Sequence, residues 1–78
     1  MNQKAIAYID ITHTYYPNNF RTARVAINKI EPGELVKIRL KSGKPLLKIP
    51  KSLEQAGHKI RLVNDNRDGT YTVLIERG

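Results

Sequence analysis

The junction between a loop and a helix at Tyr15, Tyr16 and Pro17 is the part of this chain best placed to do chemistry. Proline is favoured at the first helical position, because its missing N–H would have no partner there. We therefore predict that the first helix begins at Pro17. The residue before it faces the unpaired N–H groups and the positive end of the helix dipole, where proteins bind anions or lower the pKa of a thiol. In this chain that residue is Tyr16.

The chain contains no cysteine among its 78 residues. This excludes disulfides, thiolate metal sites, iron–sulfur clusters and cysteine nucleophiles. Asp10 and His13 are too few to predict a metal site, and Ser42-Gly43-Lys44 lacks the context of a phosphate-binding loop. We therefore predict neither a metal nor a cofactor.

Two interpretations of the aromatic junction remain open. In one, Tyr15 and Tyr16 pack over the start of the helix as a lid, and His13 is a solvated loop residue. In the other, His13, Tyr16 and the N–H groups of Asn18 and Asn19 line a pocket for a small anion or a peptide.

The strongest physical signal is positive charge. Fourteen basic and seven acidic residues give a net charge of +7, which favours acidic proteins or nucleic acid as partners. Between Leu35 and Arg61, Glu54 is the one acidic residue among eight basic ones: Lys37, Arg39, Lys41, Lys44, Lys48, Lys51, Lys59 and Arg61. These residues form either a solvated face that keeps the protein soluble or a binding surface. Few aromatic residues accompany them, so any nucleic-acid binding is expected to use phosphate contacts.

Four segments of alternating or apolar residues predict strands: Ala5–Ile11, Leu35–Leu40, Lys59–Val63 and Thr70–Glu76. In the third strand, alternation places Ile60 and Leu62 inward.

Two segments have helical spacing. Phe20, Ala23, Ile27 and Ile30 recur on one stripe after Pro17. Leu46, Ile49, Leu53 and Ala56 also keep helical spacing, but an internal proline disrupts a helix. We therefore place the main second helix at Pro50–Ala56, with Gly57 as its C-terminal glycine.

The resulting order, βαβαββ, predicts an α+β fold: a two-layer α/β sandwich with two helices on one face of a four-stranded sheet. The open face would carry Lys37, Arg39, Lys59 and Arg61. We predict one domain, 1–78. The lack of a signal-peptide core or a membrane-length apolar run favours a cytoplasmic protein without a membrane partner, and the oligomeric state is left open.

Seven landmarks of this sequence occur in the order and spacing of a known family: Ile9-Asp10, Pro17, Arg24 with Ala26-Ile27, Glu31-Pro32-Gly33-Glu34, Ile49-Pro50, Ala56-Gly57-His58, and the final strand from Tyr71 to Arg77. The chain resembles the TusA/SirA family of small sulfur-carrier proteins over nearly its whole length. This resemblance implies a mixed sheet of order 1-2-4-3, as in the C-terminal domain of translation initiation factor three.

Three positions depart from the family pattern Cys-Pro-x-Pro and its preceding loop. Tyr16 replaces the sulfur-carrying cysteine before Pro17, Asn19 replaces the second proline, and His13 stands where the loop has glycine. Persulfide carriage requires a thiolate, and a phenol forms no exchangeable bond to sulfane sulfur. The resemblance implies sulfur relay, whereas these residues predict that the activity is lost.

We therefore expect a non-catalytic family member that binds an acidic protein partner. The alternative is a small basic module that binds RNA or DNA through phosphates on the open sheet face. The candidate binding residues are His13, Tyr16, Asn18, Asn19, Arg24, Lys37, Arg39, Lys41, Lys59 and Arg61.

Overall fold

A computed structural model describes residues 6–78 of the chain. Its elements are β1 (Ala7–Asp10), α1 (Asn18–Lys29), β2 (Leu35–Lys41), α2 (Lys44–Gln55), β3 (Lys59–Asp65) and β4 (Thr70–Glu76). The sheet has the order β1-β2-β4-β3; β1 is parallel to β2, and the other two pairs are antiparallel. The predicted α+β fold and strand order are confirmed. Ala5, the first residue of the first predicted strand, lies outside the described residues.

The core lies between the sheet and the two helices. Alternation along β2 buries Val36, Ile38 and Leu40 on the covered face. Ala23 and Ile27 of α1, Ile49 and Leu53 of α2, and Val73 and Ile75 of β4 complete the buried cluster. The other face of the sheet is left open, as the alternation predicts.

Helix α1 starts at Asn18, one residue after the predicted start, and Pro17 occupies its N-cap position. The Asn19 N–H donates to the Tyr15 carbonyl at 3.0 Å, and the Arg21 N–H donates to the Pro17 carbonyl at 3.0 Å. These two bonds tie the loop that leads into α1 directly to its first turn. At the C-terminal end of α1, Arg77 donates to the carbonyls of Asn28 and Ile30.

The predicted bounds of the second helix, Pro50–Ala56, are wrong, because α2 runs from Lys44 to Gln55 through Pro50. Pro45 lies in the first turn, where proline is tolerated. Pro50 removes one backbone hydrogen bond from the helix interior. Burial of Ile49 and Leu53 against the sheet outweighs that loss.

The inward orientation predicted for Leu62 is also wrong. The register pairs Ile60 with Ile75 and Leu62 with Leu74, with a β-bulge between them at Arg61. The extra residue turns Leu62 to the open face, where its side chain is 59% exposed. At the bulge, Arg61 Nε donates to the Glu76 carboxylate at 2.7 Å.

Candidate functional site

The start of α1 presents two tyrosines to solvent. Tyr16 is 72% exposed and Tyr15 is also exposed. The ring of Tyr16 stacks on that of Phe20 with centroids 6.5 Å apart. Lys41 Nζ lies 5.9 Å from the centroid of the Tyr15 ring. Tyr16 therefore contacts the first turn while most of its surface faces outward.

A groove of about 560 Å3 opens between this loop, the end of β2 and one side of α2. We call it the basic groove, and its lining is Ile11, Thr14, Tyr15, Tyr16, Asn19, Lys41, Ser42, Lys44, Pro45, Lys48, Ile49 and Ser52. Three of these residues are lysines, and none carries a carboxylate. An apolar lining with a cationic component suits a ligand that is both apolar and acidic.

Asn19 takes part in the wall of the basic groove although it is only 2% exposed. Its side-chain Oδ1 accepts a hydrogen bond from the Phe20 N–H at 2.7 Å. Its backbone N–H donates to the Tyr15 carbonyl, a bond that a proline at this position would lack. The departure from the family motif at Asn19 therefore adds a hydrogen bond to the start of α1.

The structure brings together some of the residues that the sequence singled out. Tyr16, Asn19 and Lys41 line the basic groove, whereas His13 and Asn18 are exposed and do not line it. The Arg24 guanidinium, which is also absent from the lining, lies 5.7 Å from the centroid of the Phe20 ring.

Lys44 and Lys48 are groove residues that the sequence interpretation missed as site residues. They stand four positions apart, which places them on one face of a helix. The spacing of Lys44 and Lys48 indicates a common face only if the helix starts before Pro50. Because the predicted helix starts at Pro50, the sequence gives no reason to group these two lysines.

The basic residues predicted on the open face fall into two groups. Arg39 donates from Nη1 to Asp10 Oδ2 and from Nη2 to Asp68 Oδ2, each at 3.0 Å. Arg61 is paired with Glu76. Lys37 and Lys59 make no ion pair with any residue in the described part of the chain.

Each carboxylate that binds Arg39 is also held by a threonine two residues later. The Thr12 hydroxyl and N–H donate to Asp10 Oδ1 at 2.6 and 2.9 Å. These bonds hold the pKa of Asp10 below its ordinary value, and Arg39 adds to the effect. Asp68 has the same arrangement with Thr70, whose hydrogen bonds are the main cause of its lowered pKa. Asp10 and Thr12 thereby fix the beginning of the loop that leads to Tyr16.

Within residues 6–78, no group of three histidine or carboxylate side chains is arranged to hold a metal ion. Neither helix of this part of the chain has the length and apolarity required to cross a bilayer.

The fold and the site define a small two-layer α/β protein organised around the exposed start of its first helix. The family model described as "Sulfurtransferase TusA" matches residues 7–77. The chain belongs to the TusA family, as its motifs predict, and it is a divergent member without the cysteine. A search of curated proteins finds no match.

Proposed function

We propose that this TusA-family chain binds an acidic protein partner through the basic groove and does not carry sulfur. The observation that supports the proposal is the exposed Tyr16 at the start of α1, next to a groove lined by three lysines and no carboxylate. The position used for chemistry in the family pattern thus remains accessible, but it lacks a thiol.

The chemistry at the basic groove argues against sulfur carriage. A persulfide forms when a thiolate takes a sulfane sulfur into an S–S bond, and a second thiol later removes that sulfur. The nucleophile-type side chains of the groove are the hydroxyls of Thr14, Ser42, Ser52 and the tyrosines and the amines of its lysines. Neither an oxygen nor a nitrogen can form the exchangeable S–S bond that persulfide transfer requires.

The shape and charge of the basic groove favour a protein segment as its ligand. Ile11, Pro45 and Ile49 supply apolar surface, and Lys44 and Lys48 supply charge. Acidic side chains of a partner would meet these lysines, and apolar side chains would cover the rest. Nucleic acid on the open face would have fewer free cations, because Arg39 and Arg61 are already paired with carboxylates.

The first test measures sulfur transfer. The protein is incubated with a cysteine desulfurase and 35S-labelled cysteine, then separated under non-reducing conditions. We expect no label on the wild type, and label on a Tyr16→Cys variant as the positive control. Label retained by the wild type would overturn the sulfur part of the proposal.

The second test asks which surface holds the partner. Tagged wild type, a Lys44→Glu/Lys48→Glu variant and a Lys29→Glu/Lys51→Glu variant are used to capture proteins from a native lysate. Both variants change the net charge by the same amount, but Lys29 and Lys51 are exposed helix residues outside the groove lining. We expect acidic proteins to be lost with the groove variant and kept with the control variant. Equal capture by all three proteins would contradict the proposal.

A further inference from the structure

We propose that the open face of the sheet is a second binding surface, which takes an acidic amphipathic helix of a partner protein. The surface is the open-face row, defined as Tyr8, Lys37, Leu74 and Leu62. It shares no residue with the lining of the basic groove. The result of a binding test at one surface therefore does not decide the proposal for the other.

The open-face row is a line of side chains across all four strands. Tyr8 of β1 pairs with Lys37 of β2, Lys37 pairs with Leu74 of β4, and Leu74 pairs with Leu62 of β3. Residues that pair across neighbouring strands project from the same face. Since Lys37 is exposed between the buried Val36 and Ile38, that face is the open one.

The apolar members of the row are accessible. Tyr8 is 56% exposed, Leu62 is 59% exposed and Leu74 is partly exposed. Leu62 joins the row because of the bulge at Arg61, which shifts the pairing by one residue. Without the bulge, continued alternation would turn Leu62 toward the helices. A local irregularity thus exposes a leucine that the simple strand would bury.

The charges around the row indicate an acidic partner. The carboxylates of Asp10 and Asp68 are bound by Arg39, and Glu76 is bound by Arg61. Lys37, at the middle of the row, has no acidic partner among residues 6–78. Over the whole open face, four basic residues stand against three carboxylates, which gives a net charge of +1: Lys37, Arg39, Lys59 and Arg61 against Asp10, Asp68 and Glu76. The cations without a carboxylate partner in residues 6–78 are the lysines, so charge complementarity favours an acidic group placed over Lys37.

The dimensions of the row suit a helix. Four strands spaced about 4.8 Å apart span roughly 14 Å between their outer axes, which is the length of about ten helical residues. A second copy of the chain fits less well, because it would bring a net charge of +7 against an equal charge. The open face is about 19 by 23 Å, which gives an area of about 440 Å2. A standard stable interface buries roughly 800 Å2 per partner, so this face is also small for a stable dimer.

The experiment is an NMR titration of the full-length 15N-labelled protein with three synthetic peptides. One is a helix-forming peptide with leucines at positions i, i+3, i+4 and i+7 and glutamates between them. The second has the same composition in scrambled order, and the third has lysine in place of glutamate. We expect the first peptide to shift the amides of Tyr8, Lys37, Leu62 and Leu74, with a Kd of about 0.1 to 1 mM because the surface is small. The other two should not shift them.

Two matched variants assign the binding to the row. Leu62→Ser should weaken binding about fivefold, because it removes apolar contact area from the row. Leu47→Ser makes the same change at an exposed position on α2 and should leave binding unchanged. Both leucines are exposed, so neither variant should unfold the protein.

Several outcomes would overturn the proposal. These are no amide shifts at about 2 mM peptide, equal shifts with the scrambled peptide, or shifts confined to the lining of the basic groove. Shifts that depend on protein concentration without any peptide would indicate a second copy as the occupant. Shifts with an oligouridylate but not with the acidic peptide would indicate RNA instead.

Discussion

The side chain of Tyr16 ends in a phenol at the place where the family's motif has a thiol. The surrounding backbone keeps Pro17 at the N-cap and an exposed position. The N–H groups of Asn19 and Phe20 already donate within the protein, so the feature that still favours an anion at residue 16 is the positive end of the helix dipole. The substitution therefore changes the reactive atom and leaves the scaffold that presents it. Recognition and sulfur chemistry depend on different atoms, so the proposed function retains the first without the second.

A thiol placed at residue 16 should be activated by this scaffold. We expect the Tyr16→Cys variant to be alkylated by iodoacetamide with a midpoint about one pH unit below the ordinary thiol value of about 8.5, owing to the start of α1. His13→Cys is the control, because residue 13 is exposed and farther from the helix, whereas a thiol at residue 15 would lie near Lys41. Identical pH profiles for the two variants would show that the helix start does not stabilise a thiolate at residue 16.

At the scale of elements, Arg39 connects three parts of the sheet. It lies on β2, and its guanidinium binds Asp10 at the end of β1 and Asp68 in the turn before β4. Thr12 and Thr70 hold the other oxygen of each carboxylate. This arrangement fixes the end of β1, from which the loop toward Tyr16 departs.

The network predicts a loss of stability in acid. The pKa values of Asp10 and Asp68 are lowered in the folded protein, so the unfolded chain binds more protons and stability rises with pH. The contribution is fully present above the unfolded value of about 3.9 and is lost as pH falls through the folded values. Urea unfolding between about pH 2 and 6 should therefore show stability falling below about pH 4.

An Asp68→Asn variant tests the cause. It removes one of the two carboxylates, so its free energy of unfolding should fall less steeply with decreasing pH than that of the wild type. An unchanged slope would mean that the contacts of Asp68 with Thr70 and Arg39 contribute nothing to the acid response.

The first half of α2 should contribute to stability. Ile49, before Pro50, is 2% exposed. Ile49→Ala should lower the free energy of unfolding by about 2 to 5 kcal/mol. Leu47→Ala is the control: Leu47 lies in the same turn but is 71% exposed, and its change should be below about 0.5 kcal/mol. Similar values for both variants in urea unfolding would show that this half of the helix is not packed against the sheet.

The local sequence pattern predicted most of the strands and helices correctly. It failed where contacts with distant parts of the chain determine the local structure. Alternation and helical spacing located all four strands and α1, and Pro17 placed Tyr16 at the helix start. The rule against internal proline failed at Pro50, because burial of Ile49 acts from outside the helix. The bulge at Arg61 has no signature in the alternation of its strand.

The candidate site was predictable only in part for the same reason. Tyr16, Asn19 and Lys41 were identified because a motif or a strand marks them. Lys44 and Lys48 were missed as site residues because their common face exists only in the longer α2. The acidic partners of Arg39 are each 29 positions away in sequence, so the charge of the open face could not be judged from the sequence alone.

The whole molecule has a net charge of +7. Among the described residues, some basic side chains are paired with carboxylates and others are not. On the open face, both arginines are paired with carboxylates, while Lys37 and Lys59 have no such partner within residues 6–78. The basic groove adds lysines without any carboxylate in its lining. The open-face row lies on the uncovered side of the sheet, and the groove is lined by α2 and the start of α1. The two surfaces do not overlap, so one chain has room for two partners.

This distribution gives a quantitative test of RNA binding through the open face. Affinity for single strands falls with salt in proportion to the number of phosphates neutralised, with a slope of log K against log salt of about −0.7 per phosphate. If Lys37 and Lys59 alone neutralise phosphates, the slope is about −1.4, whereas four cations, with Arg39 and Arg61 included, give about −2.8. We expect no slope steeper than about −1.5.

The measurement is fluorescence anisotropy of a labelled oligouridylate across a salt series. It uses the Lys44→Glu/Lys48→Glu variant, so that the two α2 lysines of the basic groove do not contribute. Adding Lys37→Glu and Lys59→Glu should remove any binding that remains, because among the described residues those two lysines are the cations of the open face without a carboxylate partner. A slope near −2.8 would mean that Arg39 and Arg61 leave their carboxylates to bind phosphate. In that case the open face would be a nucleic-acid surface, and its ion pairs would be a resting arrangement that RNA displaces.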